Sequence, residues 1–167
     1  MGTEKKLFID HFESPLGDIT LLATDSGLAG LYLKGQSIDL DKDICLISKP
    51  NFVLAKAKFE LRKYFDKELK EFSVPLDLCG TDFQLRVWTT LRDIKYGETK
   101  TYKEVAKEIG LHSGFQAIGN ANKKNPIAII IPCHRVIGTN KKLVGYDGGI
   151  TLKKQLLEHE EVCIYVE

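Results

Sequence analysis

The period of the apolar residues changes once along this chain, near residue 79, and that change limits the fold more than any other feature. Before it, "KLFIDHFES", "DITLLAT" and "LAGLYLKG" alternate in strand fashion, parted by "SPLG" and "DSG", turn sequences of the Pro/Gly/Asp kind. Three such segments predict an antiparallel meander. "SIDLDKDICLISKP" predicts a loop with a short element. Val53, Ala57, Leu61 and Phe65 then recur at four-residue steps behind Asn51, which predicts a capped helix through about Lys67. Residues 72–78 predict a short closing strand.

Beyond that point helix starts dominate. Thr81 with Gln84, Thr101 with Glu104, and Ser113 with Gln116 each have capping-box spacing. The second helix is ended by Gly110, and the third runs to Asn125, where Pro126 stops it. Two short helices joined by a tight turn form a helix-turn-helix candidate whose second helix, about 114–124, enters a groove of DNA. A last helix is predicted over about 150–160, and "EVCIYVE" reads as a strand or an extended tail. The boundary between residues 78 and 79 divides the chain into domains 1–78 and 79–167.

Charge is concentrated in the second domain. The chain is +1 overall, yet residues 100–146 hold eight Lys/Arg against Glu104 and Glu108, so that window is +6 and the remainder −5. A surface facing a polyanion requires such a stretch, and a solvated helix face produces one as well. The longest apolar run, 127–131, is too short to span a bilayer. Cys45, Cys79, Cys133 and Cys163 lie 34, 54 and 30 residues apart with no CxxC and no signal peptide ahead of them. They read as reduced cytosolic thiols, and the expected location is cytoplasmic with access to DNA. His159 and Cys163 form an isolated HxxxC pair, so no metal site is expected. His11 and His112 read as turn or surface residues.

"IPCHR", at 131–135, carries the chemistry, and its residues alone admit two readings. A free cysteine after an apolar run is commonly a buried structural residue. It becomes a nucleophile when something ionises it, since a thiol of ordinary pKa is only about 3% thiolate at pH 7. His134 is adjacent, but side chains of neighbouring residues in a strand point apart, so its help requires a turn or a bridging water, and Pro132 favours a turn.

From Gly80 to Glu160 the chain resembles the O6-alkylguanine-DNA alkyltransferases. "TDFQLRVWTTLRDIKYGETKTYKEVA", "AIGNANKKNP", "IPCHRVIG" and "GYDGG…LLEHE" stand in that family's order and spacing. The resemblance implies an α+β protein with a small N-terminal α/β domain, ribonuclease H-like, and a C-terminal helical domain, winged helix-turn-helix-like. It implies DNA repair by irreversible, single-turnover transfer of an alkyl group from O6-alkylguanine to Cys133, with the base flipped out of the duplex. O4-alkylthymine is a second candidate substrate. The resemblance also implies double-stranded DNA as the partner, no cofactor, metal or membrane, and an expected monomer.

Carried over by position, the resemblance makes Cys133 the alkyl acceptor, His134 its base through a water, and Glu160 the carboxylate that orients His134. Asn125 braces the active-site turn, and Tyr102 meets the flipped base. Carbonyls of Cys133 and Val136 meet the guanine amino group, while Tyr146, Asp147 and Gly148 line the pocket. Phe115, Gln116 and Ala117, with Arg135, Lys123 and Lys124, face DNA. The chain departs from the family at three of these. Gln116 stands where an arginine usually fills the space of the flipped base, Phe115 where a small residue is common, and Asp147 where a serine is frequent.

Overall fold

The computed structural model describes residues 4–146 and 149–164. The chain separates between Leu78 and Cys79 into two compact units. In the first, β1 (Lys5–Ser14), β2 (Gly17–Ala23) and β3 (Leu28–Tyr32) form the expected meander, with antiparallel pairs such as Phe12 against Ile19 and Leu21 against Leu31. A fourth strand, β4 (Ile44–Ile47), lies parallel to β1, giving the order β3-β2-β1-β4. It is the short element of the 37–50 segment.

Helix α1 (Phe52–Phe65) covers this sheet. Asn51 caps it by accepting from Leu54 N, and Val53, Leu54, Ala57, Leu61 and Tyr64 form its buried face. They meet Ile19, Leu21, Leu28 and Leu31 in a core where each residue is at most 3% exposed. The strand expected over 72–78 does not form. Only an isolated bridge joins Leu76 to Leu28, because Pro75 has no N–H and the buried Glu60 takes the amides of Ser73 and Val74. Gly27 lets this segment approach: a Cβ there would lie 2.7 Å from the Leu76 carbonyl carbon.

The second unit is helical, with α2 (Asp82–Arg92), α3 (Tyr102–Glu108), α4 (Phe115–Lys123) and α5 (Ile150–His159), plus a two-residue parallel pair β5 (Lys100–Thr101) and β6 (Val136–Ile137). Both arms of the capping box are made at Thr81 and at Thr101. The third box is not made. Gly114, at φ 91°, is the residue before α4 and no side chain caps it, so Gln116 is the second helical residue and cannot reach back to Ser113. The helix ends at Lys123, with Lys124 as its C-cap, short of Asn125.

Trp88 anchors α2 to α4 by donating from Nε1 to the Ala121 carbonyl at 2.9 Å. Helices α3 and α4, joined by residues 109–114, make the helix-turn-helix pair and leave Phe115, Gln116 and Ala117 exposed. Among the described residues no helix is long and apolar enough to cross a membrane.

Candidate active site

The apolar run before Cys133 folds as turns, and this places the thiol. Ile129 sits at φ 70°, a left-handed conformation that a β-branched residue adopts only under constraint from its surroundings. Asn125 supplies part of that constraint, donating from Nδ2 to Ile131 O at 2.7 Å and accepting from Ile127 N at 3.0 Å. Pro132 then leads into a 3₁₀ turn, Cys133–Arg135, in which all three residues are buried.

Cys133 is 4% exposed, but polar groups surround its sulfur. Burial pushes the thiol up from its ordinary value, while the neighbouring Asn125 and Tyr146 side chains and the charge of Lys153 pull it back. Asn122 donates to the Cys133 carbonyl at 3.3 Å. Burial also raises the Tyr102 hydroxyl, to about 12, with a further push from Cys133. It donates to the carbonyls of Val144 and Gly145 at 3.4 and 3.5 Å, which are weak bonds.

Behind the thiol lies a buried charge network. His134 Nε2 is 2.8 Å from Glu160 Oε1, and Arg135 grips the same carboxylate from Nε at 2.9 Å and Nη2 at 2.8 Å. Burial alone would raise the Glu160 carboxyl, but His134 and Arg135 hold it well below the carboxylate range. An ionised Glu160 requires a proton on His134 Nε2, which makes Nδ1 the acceptor nitrogen. Nδ1 is buried and has no hydrogen-bond partner among the described residues. Burial lowers the His134 pKa, opposed by Glu160, so the ring is a neutral base.

Arg135 corrects an expectation. It does not face DNA: it is 6% exposed, its third nitrogen donates to Ile94 O at 2.6 Å, and its guanidinium lies over the Tyr96 ring. A carboxylate with two fixed oxygens recruits this fork inward. The carbonyls expected to meet guanine already hold protein donors, Asn122 at Cys133 and Lys153 at Val136, each leaving one lone pair. Phe115, Gln116, Ala117, Lys123 and Lys124 remain exposed on α4 and at its end. A cleft of about 440 Å³ there is lined by Thr81, Phe83, Asn120, Lys123 and Lys124, among others. Asp147 and Gly148 lie outside the described residues.

Sequence reasoning missed Lys153. It is 0% exposed, and its ammonium donates to Val136 O at 2.5 Å and Val144 O at 2.9 Å, 5.8 Å from the Tyr102 ring centre. Burial lowers its pKa to about 8, opposed by Cys133. A signal existed: Lys153, Leu156, Leu157 and Glu160 fall at i, i+3, i+4 and i+7, which puts two charges on an apolar stripe.

Comparison with known proteins agrees along nearly the whole chain. Residues 82–162 match the family described as 6-O-methylguanine DNA methyltransferase, DNA binding domain, and residues 7–78 its ribonuclease-like domain. A methylated-DNA–protein-cysteine methyltransferase of Methanosarcina barkeri is 46% identical over 157 residues, 93% of this chain and 98% of that protein. One of Mycobacterium leprae is 45% identical over 149 residues, 89% of each. The crystal structure of Mycobacterium tuberculosis OGT in complex with DNA superposes with a TM-score of 0.85 at 45% identity, covering 92% of this chain and 93% of that one.

Proposed function

This chain belongs to the 6-O-methylguanine DNA methyltransferase family, and from that premise we propose that it repairs DNA by moving the alkyl group of an O6-alkylguanine onto the Cys133 sulfur. The observation that carries the reading is a buried thiol ringed by Asn125, Tyr146 and Lys153, followed directly by a His134–Glu160 pair. In the proposed step the thiol gives its proton to His134 Nδ1 through a bridging water. The sulfur attacks the alkyl carbon, the carbon–oxygen bond breaks, and its electron pair goes to the guanine oxygen. The purine then takes up a proton, which restores guanine.

Each group has a physical task. Glu160 holds the imidazole tautomer and stabilises it once protonated, and Arg135 keeps Glu160 ionised. Lys153 supplies the cation that favours a thiolate in a buried site. Tyr102, whose pKa of about 12 keeps it protonated, serves as a hydrogen-bond donor toward the departing base. The product is a thioether with no carbonyl for water to attack, so each chain acts once.

Reaction at a buried sulfur requires the nucleotide to leave the stack. Helix α4 is proposed to enter the groove, with Gln116 filling the vacated space and Lys123 and Lys124 near phosphate. Gln116→Arg adds a cation there. It is expected to tighten binding to duplex DNA and to steepen the fall of log affinity with log salt by about 0.9. Unchanged affinity and slope would show that this side chain does not reach the duplex.

The central test is a mass measurement after incubation with an oligonucleotide containing O6-methylguanine. One methyl group per chain is expected, on the peptide containing Cys133, with no turnover in excess substrate. Cys133→Ser is expected to bind the same oligonucleotide and acquire no adduct. Binding without an adduct in the unaltered chain would leave a lesion-binding protein, and repeated turnover would make it a hydrolase.

A further inference from the structure

Helix α1 carries a second pattern on the side away from its core. Phe52, Lys56, Phe59 and Lys63 recur at i, i+4, i+7 and i+11, so aromatic rings and cations alternate along one outward stripe. The rings are uncovered: Phe52 is 80% exposed and Phe59 59%. Single exposed apolar residues are ordinary, but two on one stripe form a patch. A rise of 1.5 Å per residue sets them about 10 Å apart along the axis. The Lys63 ammonium lies 5.1 Å from the Phe59 ring centre.

Charge along this helix is mostly positive, with Asp10 of β1 at the edge of the same face. Between residues 49 and 63 stand Lys49, Lys56, Lys58, Arg62 and Lys63, against the single acid Glu60. Glu60 is 4% exposed and turned inward onto Ser73 and Val74. Lys58 pairs with Asp10 at 3.0 Å, and Lys63 has Glu68 at 3.8 Å in an exposed pair. Lys49, Lys56 and Arg62 have no ion pair among the described residues. Beside the stripe runs a cleft of about 760 Å³, walled by Pro50, Ala55 and both phenylalanines and edged by Lys49 and Arg62.

Two exposed ring faces interleaved with cations match the two repeating parts of an unpaired nucleic-acid strand, its bases and its phosphates. Paired bases offer no face for such rings. We propose that this face of the N-terminal unit is a second DNA-contact surface, which holds single-stranded DNA by stacking on Phe52 and Phe59 and by pairing phosphates with Lys49, Lys56 and Arg62. It lies on a different unit from α4, and alkyl transfer does not require it.

The test uses the full chain and an oligothymidylate carrying photoreactive 5-iodouracil. Cross-links are expected within residues 49–63, and Phe52→Ala with Phe59→Ala, both solvent-facing, should reduce them about tenfold or more. Lys56→Gln with Arg62→Gln should lower the salt slope of single-strand binding by about 1.4. Methyl transfer to Cys133 from the free base O6-methylguanine should be unchanged in both variants, which separates this surface from the reaction itself. Cross-links confined to residues 79–164, with the phenylalanine variant indistinguishable from the parent, would overturn the proposal. So would displacement of the cross-link by a phenylalanine-bearing polyglutamate peptide at lower concentration than unlabelled oligothymidylate, which would make the face a reader of acidic protein segments.

Discussion

Lys153→Gln is expected to slow alkyl transfer about 100-fold at pH 7 while leaving the protein folded. Burial pushes the Cys133 thiol up, and Lys153 is the cation that opposes it. Removing a nearby opposite charge raises a pKa by about 1 to 3 units, and each unit takes away about nine-tenths of the thiolate. Glutamine keeps an N–H donor for the carbonyls of Val136 and Val144, so the loss isolates charge. Lys153→Met takes the ammonium donor from the buried Val136 carbonyl and is expected to lose a further 1 to 3 kcal/mol or so of stability.

The pH dependence separates an electrostatic role from a structural one. The parent's single-turnover rate should rise with pH as the Cys133 thiol, raised by burial and partly pulled back by Lys153, ionises. In Lys153→Gln the midpoint should move up by about 1 to 3 units, and high pH should restore much of the rate. Equal slowing from pH 7 to 10 would assign Lys153 a purely structural part. Stability carries its own sign. With a free value of 10.5 and a folded value near 8, the unfolded chain binds more protons in that window, so the parent gains stability as pH rises through it. The glutamine variant should not.

What could be read in advance was local. The starts at Thr81 and Thr101 depend on residues three apart, and both boxes are made. The same spacing at Ser113 failed because one left-handed glycine, Gly114, shifted the first helical residue. Partners distant in sequence were invisible: β4 is placed by parallel pairing with β1, and the 72–78 strand is lost to Glu60, more than ten residues away. The apolar residues 127–131 resemble a strand until Asn125 ties both of their ends into a turn. Arg135 shows the general difficulty, since residue type gives a charge but not the direction in which it points. Lys153 was legible, because a lysine in an apolar stripe must find partners inside.

Glu160→Gln should cost the C-terminal unit about 3 to 5 kcal/mol, because it removes one side of a buried ion pair and leaves the other charged. Three N–H groups converge on two oxygens: His134 Nε2 and Arg135 Nη2 on Oε1, and Arg135 Nε on Oε2. A glutamine oxygen can replace only one of these acceptors. If it serves His134, its amide nitrogen confronts Arg135 Nε, and if it serves Arg135 Nε, His134 loses its acceptor. Either way a buried donor faces a donor. At roughly 2 to 4 °C per kcal/mol the melting temperature should fall by about 6 to 20 °C. The gap should narrow in acid. Glu160 has a free value of 4.5 and a folded value far below it, so its contribution is complete above 4.5 and drains as pH falls through the folded value. Parent and variant should therefore converge by about 1.4 kcal/mol per pH unit below 4.5. A variant as stable as the parent at pH 7 would show that this carboxylate does not hold the network, and would leave His134 without the partner on which its basicity rests.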